Sequence, residues 1–415
     1  MTEARKTESG KTESRRAIVV GGSLGGLFAA NLLLRAGWDV HVHERVADEL
    51  EGRGAGIVTH PELMEALAAM GLPTDDAIGV SVQERITLAQ DGSVLGRRAM
   101  PQVLTAWGRL YSILKSAFPA DRYHNGRELA AIEQRDGAVH LVFRDGYRDQ
   151  ADLVVAADGL RSTIRKALLP DANPVYASYV AWRGLVDESV LSERVREELF
   201  PYFAFGIPPC EQMIAYPVAG QHNGVEPGRR RFNFVWYRPA DEATTFRDMV
   251  TDATGRVWMD GIPPPLIRPE FVTQARQAAR DVLAPQFAEV VEKTENLFFQ
   301  PIFDLESPRI ALGQVALLGD AAFVARPHCG MGVTKAAGDA MALVEALTHH
   351  ASIPDALVDY EAQRRDTGAF IVGHARALGA YMQAQLRTAE EREMAERYRT
   401  PEAIMRETAV APVRH

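Results

Sequence analysis

Cysteine is nearly absent from this chain: its 415 residues include two, Cys210 and Cys329. They stand far apart, without metal or redox spacing. That argues against a disulfide framework, a metal site and a dithiol reductase, and it points to a reducing, cytoplasmic compartment. An excess of positive charge is missing too. With 46 Lys and Arg against 55 Asp and Glu the net charge is -9, so no nucleic-acid partner and no anionic membrane surface is expected. No stretch reaches the roughly twenty apolar residues of a membrane-crossing helix. The first fifteen residues lack the apolar centre of a secretory signal and read as a disordered lead-in. Internal repeats are also lacking. What remains is a chain long enough for two or three domains with substantial cores.

Two stretches carry the chemistry. In Val315-Ala-Leu-Leu-Gly-Asp-Ala-Ala-Phe an apolar strand delivers Asp320 to its exposed end. The tight turn Arg326-Pro-His-Cys-Gly-Met-Gly follows, and Gly330 and Gly332 open a helix that runs through Asp339. A carboxylate there can hold a polyhydroxylated chain, while small residues let backbone N–H groups approach an electron-poor ring at a helix N-terminus. The alternative is a buried strand ending in an Asp cap. The second stretch is Ala17-Ile-Val-Val-Gly-Gly-Ser-Leu-Gly-Gly-Leu, with a helical pattern and the strand Asp39-Val-His-Val-His behind it. Gly21, Ser23 and Gly26 take the three positions of the dinucleotide fingerprint, with Leu24 opening the helix. Glu44, beside Arg45, lies about twenty residues on, where an acid holds a ribose hydroxyl. Serine replaces the second glycine, and its hydroxyl can donate to a phosphate oxygen.

Along the chain the pattern is an α/β cofactor domain interrupted by a mixed β-sheet module. After the lead-in at 1–15, the cofactor domain takes residues 16–78, 101–174 and 291–350. A substrate domain takes the strands at 79–100 and residues 175–290, and a helical region fills 351–415. The spacing predicts a helix over 61–70 ended by Gly71, a hairpin around Asp91-Gly92, and a helix over 110–118. It also predicts a hairpin turning at Asp136-Gly137, a strand ending in Asp158-Gly159, helices over 271–288 and one long helix over 354–399. From 175 to 290, segments such as Tyr179-Val-Ala-Trp-Arg-Gly, Met213-Ile-Ala-Tyr-Pro-Val and Arg231-Phe-Asn-Phe-Val-Trp-Tyr are strand-like and rich in aromatics. They suggest a platform for a flat ligand, most of the rings filling the core and about one in three facing a pocket.

Taken together, Gly21-Gly-Ser-Leu-Gly-Gly with Glu44, Asp158-Gly159, and Gly319-Asp320 through Asp339 resemble the flavoprotein aromatic hydroxylases of the para-hydroxybenzoate hydroxylase superfamily. The resemblance covers nearly the whole chain up to about residue 380. Gly56-Ile-Val with Pro61-Glu-Leu, Arg122-Tyr-His, Tyr179-Val-Ala-Trp-Arg-Gly, Ile214-Ala-Tyr-Pro, Phe234-Val-Trp-Tyr and Arg326-Pro-His are similar to its hydroxypyridine-acting subgroup. It implies a Rossmann-like FAD-binding domain of the GR2 type and one FAD reduced by NADH or NADPH. It further implies O2 as co-substrate and hydroxylation of a hydroxylated N-heteroaromatic or phenolic ring through a flavin hydroperoxide. A homodimer is left open. A reductase or a catalytically silent FAD-binding protein of the same fold is the alternative; a halogenase is disfavoured because Trp-x-Trp-x-Ile-Pro does not occur.

On that resemblance Gly21, Ser23 and Gly26 cradle the FAD pyrophosphate, Glu44 takes the adenosine ribose, and Asp320 holds the ribityl chain. Pro327, Gly330, Met331 and Gly332 line the isoalloxazine, and Asp158 belongs to a motif linked to both FAD and the nicotinamide donor. Arg53 is a looser candidate beside the flavin. Trp107 stands where the family often has arginine, with Arg109 not assigned that role, and Thr334 stands where many members have asparagine. Ionising a ring hydroxyl calls for a base near neutral pH, which histidine supplies with least perturbation. His328 in the Arg326-Pro-His turn and His60 are the candidates, His60 with a structural alternative at the start of the Pro61 helix. Tyr216 is expected to position a heteroatom or to pack in the core, and Asn233 and Tyr237 come after it.

Overall fold

The computed structural model describes residues 15–48, 56–74 and 78–413. A six-stranded sheet runs in the order Ala311–Leu312, Val315–Leu317, Leu153–Ala156, Arg16–Val20, Asp39–His43, Tyr123–His124. All neighbours are parallel except the first pair. Its strands read as apolar runs because both faces are covered: Ile18, Val19, Val154, Val155 and Leu317 are fully buried. Helices Leu24–Arg35 and Gly332–His349 pack against each other in the same core. Leu24–Arg35 leaves the carboxyl end of Arg16–Val20, and Gly21, Glu44, Asp158 and Asp320 follow the carboxyl ends of parallel strands, so they gather along one edge, where open parallel sheets bind ligands.

A nine-stranded mixed sheet forms the second layer. Its centre is Phe298–Glu306, Val175–Asp187, Arg231–Pro239, Gln212–Val218 and Tyr202–Gly206. Val80–Leu88, Val94–Ala106 and Gly56–Val58 continue it on one side and Phe323–Val324 on the other. Period-two alternation splits its residues between two cores. Val180, Trp182, Met213, Phe232, Phe234 and Trp236 pack with Phe271, Phe287 and Val290 of helices Pro269–Val282 and Pro285–Lys293. Tyr179, Ala181, Ile214, Tyr216, Val235 and Tyr237 occupy the opposite face.

A three-stranded meander, Leu129–Arg135, Ala138–Phe143 and Arg148–Ala151, turns at Asp136 and Gly137, both at positive φ, as the spacing predicts. Helices Pro61–Ala69 and Trp107–Ala117 match their expected positions within a few residues.

The C-terminal region differs from the reading of one helix over 354–399. The long helix is Ile353–Gly379. It stops where a Cβ on Gly379 would lie 2.4 Å from the Tyr179 hydroxyl. A new helix, Ala389–Tyr398, starts from a capping box in which Thr388 accepts from the Glu391 N–H and the Glu391 carboxylate accepts from the Thr388 N–H. Pro401 then opens a third helix, Pro401–Glu407.

Candidate active site

The first strand–helix turn is fixed by sterics. Gly21 has φ +105°, and a Cβ there would lie 2.3 Å from the Ala157 carbonyl oxygen; one on Gly26 would lie 1.9 Å from the Gly21 carbonyl oxygen. Ser23 caps Leu24–Arg35 without a side-chain cap bond, and Leu24 turns its side chain into the core. Glu44 is buried: one carboxylate oxygen accepts from the Gly22 N–H at 2.8 Å, the other from the Val46 N–H at 2.9 Å.

Two cavities open along this edge. One, of about 270 Å³, is walled by Gly21, Ser23, Glu44, Trp107 and Arg127 among others; Trp107 stacks on Tyr111 with centroids 5.0 Å apart. The other, of about 640 Å³, lies between the Pro327–Gly332 turn and the tyrosine-bearing face of the nine-stranded sheet. Arg45, Asp158, Gly159 and Arg161 belong to both walls, so one elongated ligand can run from the first into the second.

Asp158 accepts from the Thr163 N–H at 2.7 Å and the Ile164 N–H at 3.3 Å through one oxygen, while the other is buried and unpartnered. Burial raises its carboxyl pKa. Asp320 is exposed to the larger cavity; desolvation by the protein packed around it still raises its carboxyl pKa, with Asp339 adding to the shift and Lys335 and Arg165 opposing it. Asp339 itself anchors the helix Gly332–His349: it accepts from the Gly319 N–H at 3.1 Å and from Arg364 Nε at 2.7 Å. Pro327, Gly330 and Gly332 line the large cavity, whereas Met331 turns into a small core with Cys329 and Ile371. Gly330 has φ +68°. The hydroxyl of Thr334 is buried without a partner. Arg53 lies outside the described residues.

The histidines depart from the expectation of a base near neutral pH. His328 does line the large cavity, and its Nε2 lies 2.7 Å from the Tyr179 hydroxyl while Nδ1 has no partner. Burial, then the Arg326 and Arg183 guanidinium groups, hold its pKa well below the ordinary value, so the ring is neutral and a weak base. His60 is not on either cavity wall. It sits at the N-cap position of Pro61–Ala69 without a side-chain cap bond and packs behind Gly330, where a Cβ would lie 3.3 Å from its Nε2. Burial lowers its pKa as well.

Tyr216 and Tyr237 line the cavity, and burial raises both phenol pKa values, so both stay as neutral O–H groups. Tyr216 stacks on Phe203 with centroids 4.8 Å apart and closes over Gly56, whose N–H donates to Asn233 Oδ1 at 2.9 Å.

Three wall residues were missed from sequence. Arg183 sits on the face shared by Tyr179 and Ala181, a position that strand alternation from Tyr179 could have located. Arg161 donates to the carbonyls of Asp260 and Gly261. Ala409 enters from the C-terminal segment, at φ +56°, its N–H donating to the His328 carbonyl at 2.7 Å. No local signal marks it.

Residues 15–180 match the model of the FAD binding domain family, and residues 176–304 match an FAD binding domain-like family. The chain is 32% identical over 353 residues to the 2,6-dihydroxypyridine 3-monooxygenase of Paenarthrobacter nicotinovorans, covering 85% of this chain and 88% of that protein. The chain belongs to the FAD-dependent aromatic hydroxylases. This hydroxylase is also 31% identical to the 3-amino-4-hydroxybenzoate 2-monooxygenase of Streptomyces cremeus, over 88% of its own length and 86% of the relative. Its fold superposes on the structure of 2,6-dihydroxypyridine-3-hydroxylase from Arthrobacter nicotinovorans with a TM-score of 0.84, at 30% identity, covering 89% of this chain and 93% of that one. The enzyme is a flavoprotein monooxygenase with FAD as cofactor. No helix among its described residues is long and apolar enough to cross a membrane.

Proposed function

We propose that the hydroxylase inserts one oxygen atom from O2 into a hydroxylated N-heteroaromatic ring, such as a hydroxypyridine, with a phenol as the second class. The observation that carries this reading is the large cavity. It brings Tyr216 and Tyr237 of the sheet onto one wall with the Pro327–Gly332 turn and Asp320 in a space of about 640 Å³. Named relatives act on 2,6-dihydroxypyridine, 6-hydroxynicotinate and urate, all of them rings with an acidic O–H, N–H or carboxyl group.

FAD fits the residues present. Gly21 and Gly26 let the turn close against the Ala157 and Gly21 carbonyls, which presents the start of Leu24–Arg35 to a pyrophosphate, with Ser23 and the Leu24 N–H as donors. Glu44 spends one lone pair of each oxygen on backbone N–H groups and keeps acceptor capacity for ribose hydroxyls. Asp320 would take the ribityl chain, and Asp158, with its orphan oxygen where the cavities meet, a hydroxyl or nicotinamide donor group. Pro327, Gly330, Gly332 and the backbone at Met331 would edge the isoalloxazine, with Arg45 and Arg161 beside the phosphates. When bound, FAD accepts electrons from NADH or NADPH and activates O2. The protein's part would be to keep water out and to hold the ring's oxygen substituents with O–H donors from Tyr216 and Tyr237. The same reading places the enzyme in the cytoplasm on its free thiols and leaves a homodimer to light scattering.

The test is a screen of hydroxypyridines, phenols and purines for stimulated NADH oxidation, with product mass checked for one added oxygen. Stimulation throughout the panel without that mass gain would overturn the reading.

A further inference from the structure

Of the residues that the nine-stranded sheet contributes to the large cavity, Arg183 carries the only charge. Its cross-strand neighbours are apolar: Arg183 pairs in register with Val235, which pairs with Ile214. The guanidinium is half-buried, its Nε is buried without a partner, and no ion pair or hydrogen bond joins it to any described residue. That contrasts with other buried arginines of this chain: Arg326 is forked onto Asp304, and Arg165 spends its nitrogens on backbone carbonyls. A half-buried guanidinium without a counter-charge on a cavity wall keeps donors free for an anion that enters.

We propose that Arg183 anchors the anionic oxygen of the aromatic substrate and so selects the ring in its deprotonated form. This rests on the hydroxylase reading above and names the group that recognises the substrate. Around Arg183 the cavity offers the neutral hydroxyls of Tyr216 and Tyr237 and the neutral imidazole of His328, all close enough for its charge to act on them. The other charged groups on the wall are Arg45, Arg161, Asp158, Asp260 and Asp320; none is ion-paired with Arg183. No histidine here is a base near neutral pH. The ring hydroxyl therefore gives its proton to bulk water, and the guanidinium stabilises the anion left behind, which lowers the pKa of an adjacent ring hydroxyl by about 1–3 units. The fork geometry suits a carboxylate, or a ring oxygen beside a deprotonated nitrogen, as a bidentate partner. Ionised rings are also the electron-rich ones that electrophilic oxygen attacks.

The test uses FAD-loaded enzyme without NADH, titrated with 2,6-dihydroxypyridine, 6-hydroxynicotinate and the neutral 2,6-dimethoxypyridine, following the flavin absorbance from pH 5.5 to 9. Wild type should bind the two acidic rings more tightly as their hydroxyls ionise. Arg183→Gln should weaken them about 10- to 100-fold, flatten the pH profile, and leave 2,6-dimethoxypyridine binding and FAD content unchanged; Arg183→Lys should restore part of the affinity. Unchanged affinity and pH profile in Arg183→Gln, or equal weakening of all three rings, would overturn the proposal. So would a wild-type flavin that responds to neither acidic ring. The hydroxylase reading falls separately, on absence of oxygenated product in the screen.

Discussion

The C-terminal segment forms a wall of the cavity, and one buried side chain holds it there. Arg85, fully buried on Val80–Leu88, donates to the carbonyls of Met405 at 2.9 Å, Thr408 at 2.6 Å and Ala409 at 3.2 Å, and to Gln102 Oε1. Gln102 adds a bond to the Ala409 carbonyl at 3.1 Å. On its far side Ala409 is bonded to the His328 carbonyl and packs against Gly330. Replacing Arg85 by Met keeps the packing on Phe203, 4.9 Å from the guanidinium, and removes every donor. Bonds to a charged group contribute about 1.5–3 kcal/mol each. Three carbonyls are affected, but they rehydrate when the segment lifts, and the cost of burying the guanidinium is recovered. A net loss of about 3–4 kcal/mol follows, at the low end of what three buried carbonyls left without donors cost at about 1–3 kcal/mol each. At about 1.4 kcal/mol per tenfold, opening of residues 400–413 rises by roughly 10²- to 10³-fold.

Hydrogen exchange followed by mass spectrometry reads this directly. In Arg85→Met, protection of peptides spanning 400–413 should fall by that factor while the strands Arg16–Val20 and Leu153–Ala156 keep theirs. Flavin fluorescence should rise as the wall opens. Arg85→Lys, with charge but no fork, should fall between the two. Protection within threefold of wild type across 400–413 would refute the reasoning, since it would mean that Ile404 and Met405, both buried, hold the segment alone.

Asp320→Ala should weaken FAD binding by roughly 10- to 100-fold, the worth of one or two bonds from a carboxylate, in reconstitution of apoprotein with FAD; undiminished affinity removes Asp320 from the site. His328 sets a pH dependence whose sign follows from its depressed pKa. The unfolded chain takes up a proton below about pH 6.5 that the folded state refuses, so stability is present above that pH and is lost as pH falls below it. Between pH 7.5 and 5.5 the loss assignable to this one histidine is about 1.4 kcal/mol. Urea unfolding at the two pH values should show His328→Gln losing that much less than wild type, with His60 still contributing in the same direction. An equal loss in both proteins would place the imidazolium in a site that accepts it.

What the sequence made legible is what the backbone enforces locally. Gly21 and Gly26 announce a turn in which a Cβ would strike a carbonyl, and Asp320 announces the end of an apolar strand; both sit where expected along the parallel sheet. The break of the last helix was also written locally, as Thr388-x-x-Glu391, but the charged 389–399 run masked it as a continuous helical face. The lowered basicity of His60 and His328 has another cause. A histidine's pKa depends on how deeply tertiary packing buries it, and no spacing encodes that depth. Ala409 and Arg85 meet across more than three hundred residues, through backbone carbonyls that any residue type supplies.

Arg183 lies between these cases. Strand alternation assigns it to the face of Tyr179 and Ala181, opposite Trp182, as soon as one residue of the strand is known to face the site. What alternation cannot supply is which face is lined by a cavity, because both faces are apolar and aromatic. On one, Trp182, Phe232, Phe234 and Trp236 meet the helices Pro269–Val282 and Pro285–Lys293 and close a dry core. On the other, the turn at Pro327 stands off from the sheet, and the large cavity lies between them. The discriminating mark is polarity at buried positions. Trp236 on the helix-covered face finds a carboxylate for its N–H at 2.8 Å, as buried polar atoms ordinarily do, whereas on the cavity face the Arg183 Nε, the His328 Nδ1 and one Asp158 oxygen have no protein partner. Arg276 Nε and Gln286 Oε1, on the helices of the covered side, are unpartnered too, so the mark is an orphaned polar side chain that also stands on a cavity wall, as Arg183, His328 and Asp158 do.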